Sequence, residues 1–129
     1  MTGSNCPFCQ LDAARIAFAD DVTLVIRDAF PVSPGHTLII PRRHVGSFFQ
    51  LTAPERESMF ELVAQAKVEL GDTLQPDGFN IGINDGAAAG QTVPHLHLHL
   101  IPRYWGDAPD PRGGVRWVLP AKAKYWTGQ

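Results

Sequence analysis

The chain has 129 residues, of which 44% are hydrophobic, a formal net charge of −2 and two cysteines. This length and apolar content suffice for one ordinary domain, so we expect a single domain over residues 1–129, with a core at 6–103 and an irregular C-terminal extension at 104–129. A weakly acidic chain lacks the concentrated basic field that general binding to nucleic acid or to a membrane surface requires, and neither partner is expected. The sequence shows no apolar run of membrane-spanning length and no apolar signal segment, which predicts a cytoplasmic protein.

The first third of the chain predicts three antiparallel strands. Two β-rich runs, at 15–19 and 22–26, are separated by a pair of aspartates, which favours a hairpin. Two prolines then require a loop, and a further apolar run over 36–40 predicts the third strand.

A helix is predicted after this strand region. Thr52 and Glu55 have the spacing of a capping box, and the residues that follow place apolar side chains at intervals of three and four. Gly71 is one candidate for the end of the helix and Pro76 is the other, and we favour the longer helix. The alternating run at 78–84 then predicts another strand.

The most informative stretch is residues 95–103, which alternate imidazole and apolar side chains with a period of two. This is the pattern of a β-strand, so His95, His97 and His99 are predicted to share one face. The leucines of the same stretch, Leu96, Leu98 and Leu100, are predicted to be buried on the other face.

Three aligned imidazoles have several chemical interpretations. A single histidine in a strand is commonly structural, but three in strict alternation favour a functional role, because each ring titrates near neutral pH. One zinc held by all three is disfavoured, since the outer two lie too far apart along a strand for bonds of about 2.0–2.1 Å to one ion. The pattern therefore predicts a division of labour among the three rings.

The motif resembles the signature of the histidine triad (HIT) superfamily of nucleotide hydrolases and transferases. The resemblance extends from residue 6 to residue 103 through four further segments, at 6–9, 35–41, 84–86 and 89–93. It implies an α+β fold of HIT type, with an antiparallel sheet and one main helix, and a two-fold homodimer. It also implies a purine nucleotide substrate, such as a dinucleoside polyphosphate or a nucleoside phosphoramidate.

The resemblance assigns roles to particular residues. His97 is the implied nucleophile, which attacks the α-phosphorus and forms a nucleotidyl-histidine, and a neutral imidazole is competent for this near pH 7. The other implied catalytic residues are His99, Gln91 and His36. The implied nucleotide-binding set is Asp28, Asn84, Gly90, Gln91, Thr92, His97 and His99. By their position beside Asp28, Ile26, Phe30 and Phe18 are expected to supply apolar walls for the base.

The two cysteines suggest a structural metal site. Cys6 and Cys9 are too close to staple a secreted fold, and the five residues that precede them leave no room for the strand of a redox motif. Together with His44 and His95 they form a Cys₂His₂ set suited to a structural Zn²⁺ with no open position. Free thiols are the alternative.

The C-terminal extension is rich in proline and glycine, and a short strand is predicted at 115–119. Trp105, Trp117 and Trp126 are expected to pack on the body of the fold or on a partner subunit, because tryptophan is costly to leave in water. Two other functions stay open. One is a nucleotide-binding regulatory module with negligible turnover, and the other is a metallohydrolase with a catalytic zinc.

Overall fold

The five strands of the computed structural model, which describes residues 5–126, form one antiparallel sheet. The strands are β1 (Ile16–Ala19), β2 (Thr23–Arg27), β3 (Thr37–Pro41), β4 (Gly78–Ile83) and β5 (Leu98–Arg103). Their order across the sheet is β1-β2-β3-β5-β4, so β5 lies between β3 and β4. One long helix, α1 (Ala53–Thr73), connects β3 to β4. The predicted α+β architecture is confirmed.

The first hairpin is closed by an aspartate. The Oδ1 atom of Asp20 accepts hydrogen bonds from the backbone N–H groups of Val22 and Thr23, at 2.9 and 2.8 Å. Such side-chain bonds to the following backbone stabilise a tight turn. The predicted hairpin is therefore confirmed.

A β-bulge interrupts β1. Ile16 pairs with Ile26, but Phe18 pairs with Val25, so the register shifts by one residue between them. Because side chains alternate between faces with a period of two, this shift sends Ile16 and Phe18 to opposite faces of the sheet.

Helix α1 begins with the predicted capping box. The Oγ1 atom of Thr52 accepts from the Glu55 N–H at 3.3 Å, and Glu55 Oε1 accepts from the Thr52 N–H at 2.8 Å. The helix passes through Gly71 and ends at Thr73, which confirms the longer version. Its buried apolar face consists of Met59, Leu62, Ala66 and Leu70.

This helix covers one face of the sheet. Its apolar residues pack on side chains that include Val25, Ile39, Leu98 and Leu100. Each fully buried side chain of this size contributes about 1.5–3 kcal/mol of transfer free energy. The helix thereby fixes which side of β5 faces the core and leaves the opposite side of the sheet for the histidines.

The histidine strand is shorter than predicted, because β5 begins at Leu98 and His95 and His97 precede it. Extending the register of β3 and β5 would set Pro41 opposite Leu96. Proline has no N–H to donate, so the ladder ends there. The predicted alternation nevertheless persists, since the three leucines of this stretch pack in the core under the helix, whereas His97 contacts Phe8, which packs on the opposite face of the sheet.

The predicted strand at 115–119 is wrong. Residues Gly114–Val118 form a 3₁₀ turn. It follows Gly113 and includes Gly114, whose φ angles of +95° and +48° turn the chain in a way that a strand does not allow. Trp105 is 81% exposed, so of the two expected positions, the body of its own chain and a partner subunit, only the second stays a prediction for this residue.

Among residues 5–126, no helix combines the length and the apolar character needed to cross a bilayer.

Candidate active site and metal centre

The open face of the sheet has an apolar floor beside a row of histidines. Ile26, Leu38 and Ile40 are buried on this face. In the register of β3 and β5, Leu38 lies directly opposite His99. His99 therefore lies at the edge of the apolar floor, on the strand between β3 and β4.

His97 has one ring nitrogen committed to the backbone. Its Nδ1 atom lies 2.9 Å from the carbonyl oxygen of His95. A carbonyl oxygen only accepts, so Nδ1 carries the proton and, in the neutral ring, Nε2 carries the lone pair. The ring meets Phe8 on one side and His99 on the other, each at a centroid distance of 5.1 Å.

His36 and His99 form a directed pair. The Val32 N–H donates to His36 Nδ1 at 3.2 Å, so His36 carries its proton on Nε2. That proton is donated to His99 Nδ1, which lies 2.9 Å away. In a neutral His99, the remaining nitrogen, Nε2, is then an N–H donor.

Asp28 lies next to His36 in this pair. Its Oδ2 atom is 3.4 Å from His36 Nε2, and its Oδ1 atom accepts from the Phe30 N–H at 2.8 Å. The donor atoms of Asp28, His36 and His99 lie within 4.8 Å of one another, as in a metal site. The proton on His36 Nε2 favours a hydrogen-bonded chain here, because a metal ligand needs that lone pair.

Burial keeps both rings of the pair neutral. It lowers the pKa of His36, against the opposing charge of Asp28. Burial, together with the positive charges that His97 and His36 would carry, lowers the pKa of His99 to about 4. Near pH 7 the pair thus presents hydrogen-bond donors without a net positive charge.

Apolar side chains pack together on the floor of the sheet, and their identity differs from the prediction. Ile26 belongs to this cluster, but Phe18 packs in the core under the helix because of the bulge in β1. Phe30 is 88% exposed. The residues that pack on the floor instead are Phe8, Leu11 and Ile16. Sequence reasoning missed them, although all three stand within or soon after the cysteine pair.

Residues of the Gly-rich loop line a depression on the surface. Gly90 has a φ of +98°, and Gln91 and Thr92 line a depression of about 480 Å³ with residues of the 46–50 segment. The Gln91 amide is held by backbone, since its Oε1 accepts from the Gly86 N–H at 2.8 Å and its Nε2 donates to the Gly46 carbonyl at 2.9 Å. In this structure Gln91 braces the loop.

Asn84 joins the histidines in another cleft. It is half-buried at the end of β4 and lines this cleft together with His36 and His99. Asn84 is therefore near two of the predicted catalytic residues, whereas Gln91 and Thr92 line a different depression.

The four predicted metal ligands converge, although up to 89 residues separate them in the sequence. Cys6 Sγ lies 3.3 Å from His95 Nδ1, and Cys9 Sγ lies 3.4 Å from the same atom and 3.2 Å from His44 Nδ1. All four donor atoms lie within 4.8 Å of one another.

The protonation of His95 fits a metal. Its Nε2 donates to the carbonyl oxygen of Pro41 at 2.8 Å, which leaves the lone pair on the Nδ1 atom that faces the thiols. Burial is the main cause that lowers the pKa of His95, so the ring stays neutral, as a ligand must be. Two sulfurs and two imidazole nitrogens are the donor set that tetrahedral zinc prefers.

These features define the class of site: an imidazole with a free lone pair, a neutral donor pair beside it, and a Cys₂His₂ cluster whose His95 stands two residues before that imidazole. The chain belongs to the HIT domain family, which matches residues 11–106.

Three proteins illustrate the likeness. A HIT family protein of Bacillus anthracis is 38% identical, with a TM-score of 0.75 over 82% of this chain and 78% of that chain. A zinc-bound histidine triad family protein of Mycobacterium smegmatis is 34% identical, with a TM-score of 0.73 over 93% of this chain and 94% of that one. The bis(5′-nucleosyl)-tetraphosphatase (asymmetrical) of Schizosaccharomyces pombe is 43% identical over 77 residues, which are 60% of this chain and 42% of that protein.

Proposed function

We propose that the protein is a nucleotide hydrolase or nucleotidyltransferase that cleaves at the α-phosphate of purine nucleotides through a nucleotidyl-histidine. The observation that carries this proposal is the hydrogen bond from His97 Nδ1 to the His95 carbonyl at 2.9 Å. It fixes the tautomer in which Nε2 is a nucleophile at neutral pH.

The reaction has two displacements. In the first, the His97 Nε2 lone pair forms a bond to the α-phosphorus, and the bond from phosphorus to the leaving oxygen or nitrogen breaks. The leaving group departs with that electron pair and takes up a proton. In the second, a water oxygen bonds to phosphorus, the phosphorus–nitrogen bond breaks, and the water proton is released as His97 returns to its neutral form.

The neighbouring groups have matching roles. The Nε2–H of His99 donates to a phosphoryl oxygen as negative charge develops there, and His36 orients that donor. Asp28 accepts from the ribose hydroxyls through its partly exposed carboxylate, and the base lies over Phe8, Leu11 and Ile16. The remaining contacts to the phosphates and the leaving group are made by Asn84, Gly90, Gln91 and Thr92. To take part, Gln91 must give up one of its hydrogen bonds to the backbone.

Zinc is proposed as a structural ion held by Cys6, Cys9, His44 and His95. The ion would link the N-terminal segment and the 42–50 connection to His95, whose carbonyl oxygen orients the His97 ring. A catalytic zinc is disfavoured, because four protein ligands leave no open position for water.

The likeness to the S. pombe tetraphosphatase supports dinucleoside polyphosphates as substrates. The alternative function is a nucleotide-binding regulatory module with negligible turnover. Turnover of diadenosine tetraphosphate, diadenosine triphosphate and adenosine 5′-phosphoramidate decides between them. Release of AMP by the wild type and its loss in His97→Ala support catalysis, whereas binding without release by either protein supports the regulatory module.

A further inference from the structure

Residues 6–9 form a tight turn that brings the two thiols of the chain together. The Cys9 N–H donates to the Cys6 carbonyl at 3.2 Å, and the two Sγ atoms lie within 4.8 Å of each other. A turn closed in this way holds its first and last Cα atoms within about 7 Å, which is the range that a disulfide spans. A short side-chain movement therefore suffices to join the two sulfurs.

The two thiols differ in their access to solvent. Cys9 is exposed, whereas Cys6 is 0% exposed. A small oxidant in solution therefore reaches Cys9 first, and Cys6 lies within reach as the second sulfur. An accessible sulfur with a second one beside it is the arrangement in which cysteine oxidation stops at a reversible disulfide.

The same two sulfurs face the imidazoles of the proposed metal centre. Cys9 Sγ lies 3.2 Å from His44 Nδ1, and Cys6 Sγ lies 3.3 Å from His95 Nδ1. A thiolate is a metal ligand, but a disulfide sulfur carries no negative charge to offer. Joining the sulfurs therefore removes two of the four proposed ligands and leaves two neutral imidazoles. Zinc and a disulfide exclude each other at this pair.

The ring of Phe8, which stands between the two cysteines, connects the turn to the reaction centre. It meets the His95 ring edge-on at a centroid distance of 5.9 Å and the His97 ring at 5.1 Å. It also packs on the apolar floor of the sheet. A rearrangement of the 6–9 turn therefore changes the surroundings of the proposed nucleophile.

We propose that the pair of Cys6 and Cys9 is a reversible oxidation site for hydroperoxides, at which Cys9 reacts first and disulfide formation releases the zinc. The zinc centre is taken from the proposed function, whereas disulfide formation depends on the geometry of the pair alone. In an enzyme of the proposed kind, oxidation then lowers the rate, because His95 and Phe8 no longer hold the His97 ring in place.

The oxidation has two steps. The Cys9 sulfur attacks an oxygen of the hydroperoxide, an S–O bond forms, the O–O bond breaks, and the departing oxygen takes up a proton. The Cys6 sulfur then attacks the Cys9 sulfur, an S–S bond forms, the S–O bond breaks, and the departing hydroxide takes up a proton to give water. The sulfurs lose two electrons, which the hydroperoxide gains. A dithiol reductant reverses the change by thiol–disulfide exchange.

The test treats reduced, zinc-loaded, full-length protein with hydrogen peroxide. Thiol titration, peptide mass spectrometry and a zinc-binding dye follow the reaction. Both thiols are expected to disappear, the peptide with residues 6–9 to lose the mass of two hydrogen atoms, and one zinc per chain to appear in solution on the same time course. A dithiol followed by added zinc should restore the starting state. Persistent thiols, over-oxidation without a disulfide, or a disulfide that forms without zinc release would overturn the proposal, as would a reduced protein that takes up no zinc.

Two single-cysteine variants test the order of attack. Cys6→Ser keeps the exposed sulfur and Cys9→Ser keeps the buried one, and they are matched because each lacks one sulfur ligand. Dimedone, which traps sulfenic acid, is expected to label Cys6→Ser at least about tenfold faster than Cys9→Ser. Limited alkylation of the wild type gives the same order without a substitution and should label Cys9 before Cys6. Labelling of Cys6 first, or at an equal rate, would contradict the proposed order.

Turnover separates this proposal from the proposed function. Oxidised wild type is expected to hydrolyse diadenosine tetraphosphate at least about tenfold more slowly than reduced wild type, and an unchanged rate after zinc release would refute the coupling to His97. His97→Ala keeps all four proposed ligands and should form the disulfide and release zinc as the wild type does. If neither protein turns over substrate but both release zinc on oxidation, the oxidation site stands and the catalytic function fails. If the wild type turns over substrate but forms no disulfide, the oxidation site is wrong and the function stands.

Discussion

The carbonyl oxygen of His95 accepts the Nδ1–H of His97 at 2.9 Å, while the ring of the same His95 faces the thiols of Cys6 and Cys9. One residue therefore belongs to the proposed metal centre through its side chain and to the nucleophile through its backbone. A metal that immobilises His95 also orients the His97 ring.

The first prediction concerns this metal. Protein purified without chelator is expected to contain one zinc per chain, and Cys9→Ser is expected to lose it and to lower the Tm by roughly 5–10 °C, because zinc binding contributes directly to folding. Elemental analysis and calorimetry measure the two effects. His97→Ala is the control and should keep both zinc and Tm. Fresh, reduced wild type without stoichiometric zinc would disprove the metal centre.

The second prediction concerns the directed pair of His36 and His99. His36→Ala removes the donor that fixes the His99 tautomer, and kcat should fall about ten- to a hundredfold with a smaller change in KM. Steady-state kinetics on diadenosine tetraphosphate measure this. Ser33→Ala, on the same loop, removes a hydrogen bond to the Pro102 carbonyl without touching His99 and should stay near wild type. A kcat for His36→Ala within about twofold of wild type would refute the role.

The third prediction concerns the start of helix α1. Hydrogen bonds from Arg43, together with the bond from Thr52, lower the pKa of Glu55 to about 2. Since the folded-state pKa is the lower one, the stabilisation is complete above the ordinary carboxyl pKa of about 4.3 and is lost as the pH falls towards 2. Glu55→Gln should therefore lower the free energy of unfolding by about 1–2 kcal/mol at pH 7, and the difference from wild type should shrink below pH 4.

Urea denaturation at a series of pH values measures that difference. Glu57→Gln, at an exposed position on the same helix, is the control and should show no such convergence. A difference between wild type and Glu55→Gln that is constant from pH 7 to pH 3 would contradict the assignment.

The fourth prediction concerns the oligomer. Exposed apolar side chains lie around edge strand β4, with Phe49 84%, Phe60 54% and Ile81 51% exposed, and they line one depression. Exposed sheet edges and apolar patches of this kind favour association, and we expect a homodimer that covers them. Light scattering at tens of micromolar should give twice the chain mass. Ile81→Asp should give monomers, whereas Val68→Asp, 61% exposed on α1, should not.

A monomeric wild type at that concentration would disprove the dimer.

The sequence predicted the elements whose signal is local. Alternation with a period of two, the capping box at Thr52 and the turn aspartates each depend on near neighbours in the chain. The Cys₂His₂ cluster was also predictable, because sulfur and imidazole ligands are few and their chemistry restricts how they combine.

Other features depend on pairing between distant residues. The bulge in β1 moved Phe18 into the core under the helix, and no local pattern indicates a register shift. Pro41 shortened the histidine strand because it lies opposite Leu96, which only the register reveals. The positive φ angles of Gly113 and Gly114 reverse the direction of the chain, so the segment predicted as a strand at 115–119 forms a 3₁₀ turn instead.

The central claim, that His97 is a nucleophile, is tested most directly by trapping the intermediate. Protein mixed with adenosine 5′-phosphoramidate and quenched in alkali, in which a bond from phosphorus to nitrogen survives better than in acid, is digested and analysed by mass spectrometry. The account predicts one adenylyl increment on His97, and it predicts that His97→Ala loses both the adduct and at least about a thousandfold in rate while it keeps its zinc and its Tm. An adduct on another residue, or a His97→Ala variant that retains more than about 5% of the wild-type rate, would contradict it.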